Sequence, residues 1–169
     1  VGVDASSIDR TLALATAHAD VVYRFEHGPQ LSPARLLPLK YATGDWILSI
    51  DDDESIEPAF DALIPELLQD GRPTHYWFPR KWIASLDPCE YVHAAPWFPD
   101  WQLRLFRNDR SLVWKPNRPH TGYQVLGPGY FESRAAILHF EPVICDEATR
   151  RNKVERYRRA GGLESGQGV

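Results

Sequence analysis

Short apolar runs separated by polar turns recur along the first half of the chain, and their spacing predicts alternating strands and helices. Val1–Val3 is a brief apolar run. The small and polar residues Asp4 to Asp9 lead from it into Arg10–Ala15, which reads as strand, turn and helix start, with Ser6 or Ser7 as the cap. That helix ends near His18–Asp20, and Val21–Phe25, rich in β-branched and aromatic residues, predicts a second strand. Glu26–Leu31 reads as a loop. Ser32 and Pro33 then supply a cap and a first-turn proline for a helix through Tyr41, kinked or shortened by Pro38 and ended by Gly44. Trp46–Ile50 predicts a central strand. Pro58 opens a helix over Ala59–Gln69 with Phe60, Leu63, Ile64, Leu67 and Leu68 on one face and Pro65 in its middle. Asp70–Pro73 is a turn and His75–Pro79 another strand. The alternation predicts an α/β fold with a doubly wound, mostly parallel sheet.

The second half changes character. From Lys81 to Pro128 the chain is dense in Trp, Pro, Arg and His, with strands expected at Gln102–Phe106 and Ala135–Phe140 and a last helix at Asp146–Ala160. Such chain reads either as loops building a pocket on a rigid sheet or as a packed α+β subdomain. At 169 residues a single domain is expected, and 43% apolar with 25% charged residues is ordinary for a soluble globular chain. A net charge of -4 gives no basic surface of the kind nucleic-acid binders carry. Two cysteines, Cys89 and Cys145, are too few for a disulfide framework, so reduced thiols are expected. No run is long enough to span a bilayer and no signal peptide opens the chain. The chain opens inside a strand and contains no Met, which leads to the expectation of a fragment truncated at its amino end.

Candidate chemistry concentrates at Asp45–Glu54, where the apolar run Trp46, Ile47, Leu48 and Ile50 meets Asp51, Asp52, Asp53 and Glu54. Unpaired carboxylates are too costly to desolvate inside a strand, so these acids belong where it emerges, at its carboxyl end. Open α/β sheets bind ligands at that edge. Hard oxygen donors there suit Mg²⁺ or Mn²⁺ bound together with a ligand's phosphates. The alternative is a solvated acidic turn. On extended backbone Asp51 and Asp53 point the same way and Asp52 the other.

Three blocks, in order, give this chain a resemblance to family 2 glycosyltransferases of the GT-A fold. Val3-Asp4-Ala5-Ser6-Ser7-Ile8-Asp9-Arg10-Thr11 is similar to the family's Val-Asp-x-Gly-Ser-x-Asp-x-Thr segment. Ala34-Arg35 and then Ala42 to Glu54 resemble the approach to its Asp-x-Asp metal motif. Phe98 to Arg107, with Arg118-Pro119-His120 and Leu138-His139-Phe140, resembles a subgroup acting on lipopolysaccharide cores and related bacterial glycans. The resemblance implies an inverting, metal-dependent transferase that moves a sugar from a nucleotide-diphosphate donor to a glycan or lipid-linked acceptor. By it, Asp53 binds the metal, Asp51 contacts ribose or the metal's water shell, and Asp4 binds the nucleobase, with Asp52 alongside on the donor side. Ala5 stands where many members have a second Asp. Asp9 reads as a helix-dipole charge. Arg35 is either a diphosphate contact or a surface arginine. Asp100, followed by Trp101, Gln102 and Leu103, matches the family's acidic-x-x-Leu base; its alternative is a turn residue after Pro99.

Gln102 and Arg104 alternate with Leu103 and Leu105, so one face of that strand is expected to be polar and Arg104 to lie on the donor side. His120 and His139 are candidate metal ligands, with a buried structural histidine the equal alternative for His139. His18, His27, His75 and His93 have no motif context. The aromatic load of Trp82, Tyr91, Trp97, Phe98, Trp101 and Trp114 suits sugar stacking, though core packing accounts for most of it. In the last helix Arg150, Arg151, Lys153, Arg156, Arg158 and Arg159 form either a solvated basic face or a peripheral contact with an anionic membrane, implying a cytoplasmic location at the membrane's inner face. One GT-A-like domain over 1–169 is expected, with a nucleotide-sugar half (1–80), an acceptor half (81–145) and a basic helix with tail (146–169). The rival functions are a sugar nucleotidyltransferase and a catalytically inactive glycan- or nucleotide-binding domain.

Overall fold

The computed structural model describes residues 1–26, 39–114 and 122–159, with side chains as far as 155. Strand β1 (Gly2–Asp4), helix α1 (Thr11–His18) and strand β2 (Tyr23–Phe25) open the chain, β1 and β2 forming a parallel two-stranded sheet of their own. The α1 cap is Arg10 rather than Ser6 or Ser7, and the Thr11 N–H donates to Asp9 Oδ1 at 3.0 Å. The helix expected up to Tyr41 lies largely outside the described residues, of which 39–41 are helical.

The main sheet is built around β5 (His75–Leu86), a 12-residue strand. β7 (Asp100–Arg107) runs antiparallel along one edge of it, and β3 (Trp46–Leu48) pairs antiparallel with β7. Along the other edge lie β10 (Gly129–Phe131) and β11 (Ile137–His139), both parallel to β5, with β4 (Glu54–Ile56) antiparallel to β11. β6 (Cys89–Tyr91) folds back on the far end of β5. The sheet is therefore mixed, against the expectation of a mostly parallel one. Connection length is the reason: two residues separate β5 from β6 and eight separate β6 from β7, whereas a parallel crossover needs a dozen or more. β3, expected at the centre, lies at one end of the strand order β3-β7-β5-β11-β4. A small antiparallel pair, β8 (Val113–Trp114) and β9 (Gln124–Val125), stands apart.

Helix α2 (Phe60–Gln69) continues through Pro65 and buries Phe60, Leu63 and Leu67, the i, i+3, i+7 face anticipated from the apolar spacing. These pack on Tyr76, Phe78, Leu105, Ala135 and Ile137, with the Phe60 and Phe78 rings 4.8 Å apart. Burying side chains of this size contributes about 1.5–3 kcal/mol each. A second cluster, Leu103, Phe106 and Tyr123, gathers Leu39, Ile47, Trp77, Val113 and Val125. β10 approaches β5 so closely that a Cβ on Gly129 would run into the His75 ring. Two further helices close the described chain, α3 (Glu141–Ile144) and α4 (Glu147–Arg159). Cys89 and Cys145 are both free. Among the described residues, no helix is long and apolar enough to cross a membrane.

Candidate functional site

Beyond β3 the ladder persists for one bond, Ser49 N–H to Arg104 O at 2.8 Å, and then the acids fold into a turn. The Glu54 N–H donates to Asp51 O at 3.1 Å, while Glu54 Oε2 accepts from the Asp51 N–H at 3.2 Å. Asp51 and Asp53 are thus not held side by side on extended chain; the turn sends them to different partners, and Asp52 points out into solvent. Glu54 opens β4 with its side chain wholly buried.

Arg104 meets this turn from β7. Tyr76 is paired with Leu105 but Trp77 with Leu103, so Arg104 is the extra residue of a bulge. Leu105 and Leu103 therefore enter different clusters instead of sharing the expected apolar face. Bulges re-aim side chains. Here the 5% exposed Arg104 points at the acids, its Nη2 binding Asp51 Oδ2 at 2.9 Å and forming a still closer bond to Glu54 Oε1. The guanidinium is committed to these two carboxylates, which neutralise its charge where burial alone would disfavour it.

Asp100 begins β7 directly opposite Arg80 of β5. Its Oδ2 accepts from Arg80 Nε at 2.8 Å and from Trp82 Nε1 at 2.9 Å, with Arg80 Nη2 at 2.6 Å. Among the described residues its Oδ1 accepts one bond, from Gln102 Nε2 at 2.7 Å. A carboxylate oxygen offers about two acceptor positions, so Oδ1 retains one for a further proton or donor. Arg80 Nη1 lies 3.4 Å from Glu54 Oε1, which joins Asp51, Arg104, Glu54, Arg80 and Asp100 in one chain of charges.

The third component comes from the end of β11, where His139 pairs with Glu54 on one side and Trp82 on the other. The His139 ring is 4% exposed and meets the Trp82 ring edge-on at 4.2 Å. Its Nε2 is 3.3 Å from Asp53 Oδ2 and 4.0 Å from Glu141 Oε2. The Phe140 N–H bond to Asp53 O, 2.8 Å, ties the acid turn to this strand end. The hydrogen bond with His139 holds the Asp53 carboxyl below the usual range against the opposing effect of burial, and the His139 and Lys153 charges add to the lowering. Ligand atoms of Asp53, His139 and Glu141 lie within 4.8 Å of one another. Two carboxylates and an imidazole are a fitting donor set for a divalent ion.

Of the residues singled out from sequence, Asp51, Asp53, Asp100, Arg104 and His139 form a single neighbourhood bridged by Trp82. The trio groups Asp53 with Glu141, while Asp51 is taken up by Arg104. Asp4 belongs to the separate β1–β2 sheet, where its Oδ1 accepts from the Ser6 N–H and hydroxyl. Arg35 and His120 lie outside the described residues. Sequence reasoning gave no role to Arg80 or Glu141, and counted Glu54 only as one of the clustered acids. A signal for Glu141 was present, since it stands two residues beyond His139. In the basic helix, Arg150 Nη1 donates to Pro142 O and Cys145 O, Arg151 pairs with Glu147, and Lys153 with Glu141, so those cations already have partners within the fold.

Acids, an imidazole and two arginines already paired with acids thus gather in one neighbourhood of the sheet. The chain belongs to glycosyl transferase family 2, whose family model matches residues 1–122. It is also similar to a protein of Rhizobium meliloti (strain 1021) named lipopolysaccharide core biosynthesis glycosyltransferase LpsC. The two are 26% identical over 175 residues, an alignment covering 98% of this chain and 62% of the relative.

Proposed function

We propose that this domain transfers a sugar, with inversion, from a nucleotide-diphosphate donor to a hydroxyl of a glycan or lipid-linked acceptor in building the cell envelope. The observation that carries the reading is that Trp82 touches both Asp100, through Nε1, and His139 of the Asp53–His139–Glu141 group. In the reaction the bond from the anomeric carbon to the diphosphate oxygen breaks as the acceptor oxygen attacks from the opposite face. The acceptor's proton passes to Asp100, whose Oδ1 keeps an acceptor position while Arg80 and Trp82 fix its orientation. Asp53, His139 and Glu141 would hold Mn²⁺ or Mg²⁺, which when bound supplies positive charge to the departing diphosphate. Asp51, oriented by Arg104, contacts the ribose or the ion's water, Asp4 the nucleobase, and Arg35 the diphosphate. Arg104 acts on the donor through Asp51 rather than by touching it.

The assay is release of the donor's nucleotide, UDP, GDP or CMP, from a panel of sugars linked to each, with lipopolysaccharide-core acceptors and Mn²⁺. One donor should turn over in the presence of metal and stall in EDTA. Binding of nucleotide with no turnover across the panel would instead favour an inactive binding domain. Contact of the Arg150–Arg159 face with anionic lipid would appear in the same preparations as salt-sensitive pelleting with liposomes.

A further inference from the structure

Among the described side chains of helix α4, Lys153 reaches the proposed metal group. Lys153 Nζ lies 2.6 Å from Glu141 Oε1, while the other oxygen of that carboxylate faces His139. The Lys153 charge also acts on Asp53. An ammonium thus already serves both acids of the trio. The helix has a second, independent anchor one turn earlier, where Arg150 Nη1 donates to Pro142 O at 2.8 Å and Cys145 O at 2.7 Å at the end of α3. The Lys153 side chain is about a third exposed.

We propose that Lys153 is an internal cation of this site that competes with the divalent ion for Glu141, so that metal binding and the docking of α4 beyond Arg150 oppose one another. The inference rests on the metal reading above. A dication beside Glu141 and an ammonium on the same carboxylate repel at close range, and the lysine, on a flexible and partly exposed stem, is the partner able to leave. Coupling of this kind is reciprocal. Metal weakens the hold of α4, and the docked helix weakens the metal, by the same factor. Arg150 keeps the base of the helix in place throughout.

The test is a calorimetric titration of the full chain with Mn²⁺ alone, comparing wild type, Lys153→Gln, Lys153→Arg and Asp53→Asn, with hydrogen exchange of α4 as second readout. Lys153→Gln should bind Mn²⁺ about tenfold more tightly, and Lys153→Arg, which keeps the charge, like wild type. Mn²⁺ should speed exchange around Lys153 in wild type and leave Lys153→Gln unchanged. Equal or weaker binding by Lys153→Gln, with binding still lost in Asp53→Asn, would overturn the competition and leave the metal site standing. No Mn²⁺ binding by any form would overturn both.

Discussion

Glu54→Ala is expected to cost about 3–5 kcal/mol of folding stability, a large part of what a domain of this size possesses. The Glu54 carboxylate is wholly buried and faces Arg104 and Arg80 together. Among the described residues, its removal leaves Asp51 as the one carboxylate on Arg104, itself 5% exposed, and Asp100 as the one carboxylate on Arg80. Exposed ion pairs contribute little, but breaking a buried one strands charge in a medium that cannot solvate it. The turn loses a closing bond as well, since Glu54 Oε2 accepts from the Asp51 N–H. Chemical denaturation measures the effect directly. A loss under about 1 kcal/mol would show that water reaches these guanidiniums and that the charge chain is not buried in the sense argued above.

Asp100→Asn should lower turnover by about 10²–10⁴-fold, the range for removing a general base, while donor and metal binding stay near wild type. The substitution is nearly isosteric, and the amide oxygen can take over the bonds from Arg80 Nε and Trp82 Nε1. The amide nitrogen then faces Gln102, whose own amide can turn to present oxygen. The capacity to take a proton is lost, together with the negative charge that faces Arg80. Steady-state kinetics with the matched donor, set beside a binding titration, separates the two roles. An unchanged kcat would leave Asp100 a strand-end residue that orders Arg80.

Much of this was legible in the residues because the signals were local. The apolar spacing of Phe60, Leu63 and Leu67 places α2, and the Asp-rich end of an apolar run places the acid turn. Sheet order was not legible. It depends on β5 running on from Pro79 to Leu86 and folding straight back into β6, and nothing in His75–Pro79 alone announces that length. The bulge at Arg104 was equally hidden, because Leu103 and Leu105 read as plain alternation until β5 sets their register. Glu54 and Arg80 sit 26 residues apart and acquire meaning only when β11 brings β4 and β5 to its two sides. Asp53 and His139 were each recognised singly, whereas Glu141 depends on the chain turning into α3 just after β11.

The central claim is that Asp53, at the tip of the acid turn, holds a cation on which nucleotide binding depends. Calorimetry with UDP, GDP and CMP, each with and without Mn²⁺, on wild type and Asp53→Ala tests it most directly. One nucleotide should bind wild type tightly only when Mn²⁺ is present, and the variant should lose that binding. Equal binding with and without metal, in both proteins, would contradict it.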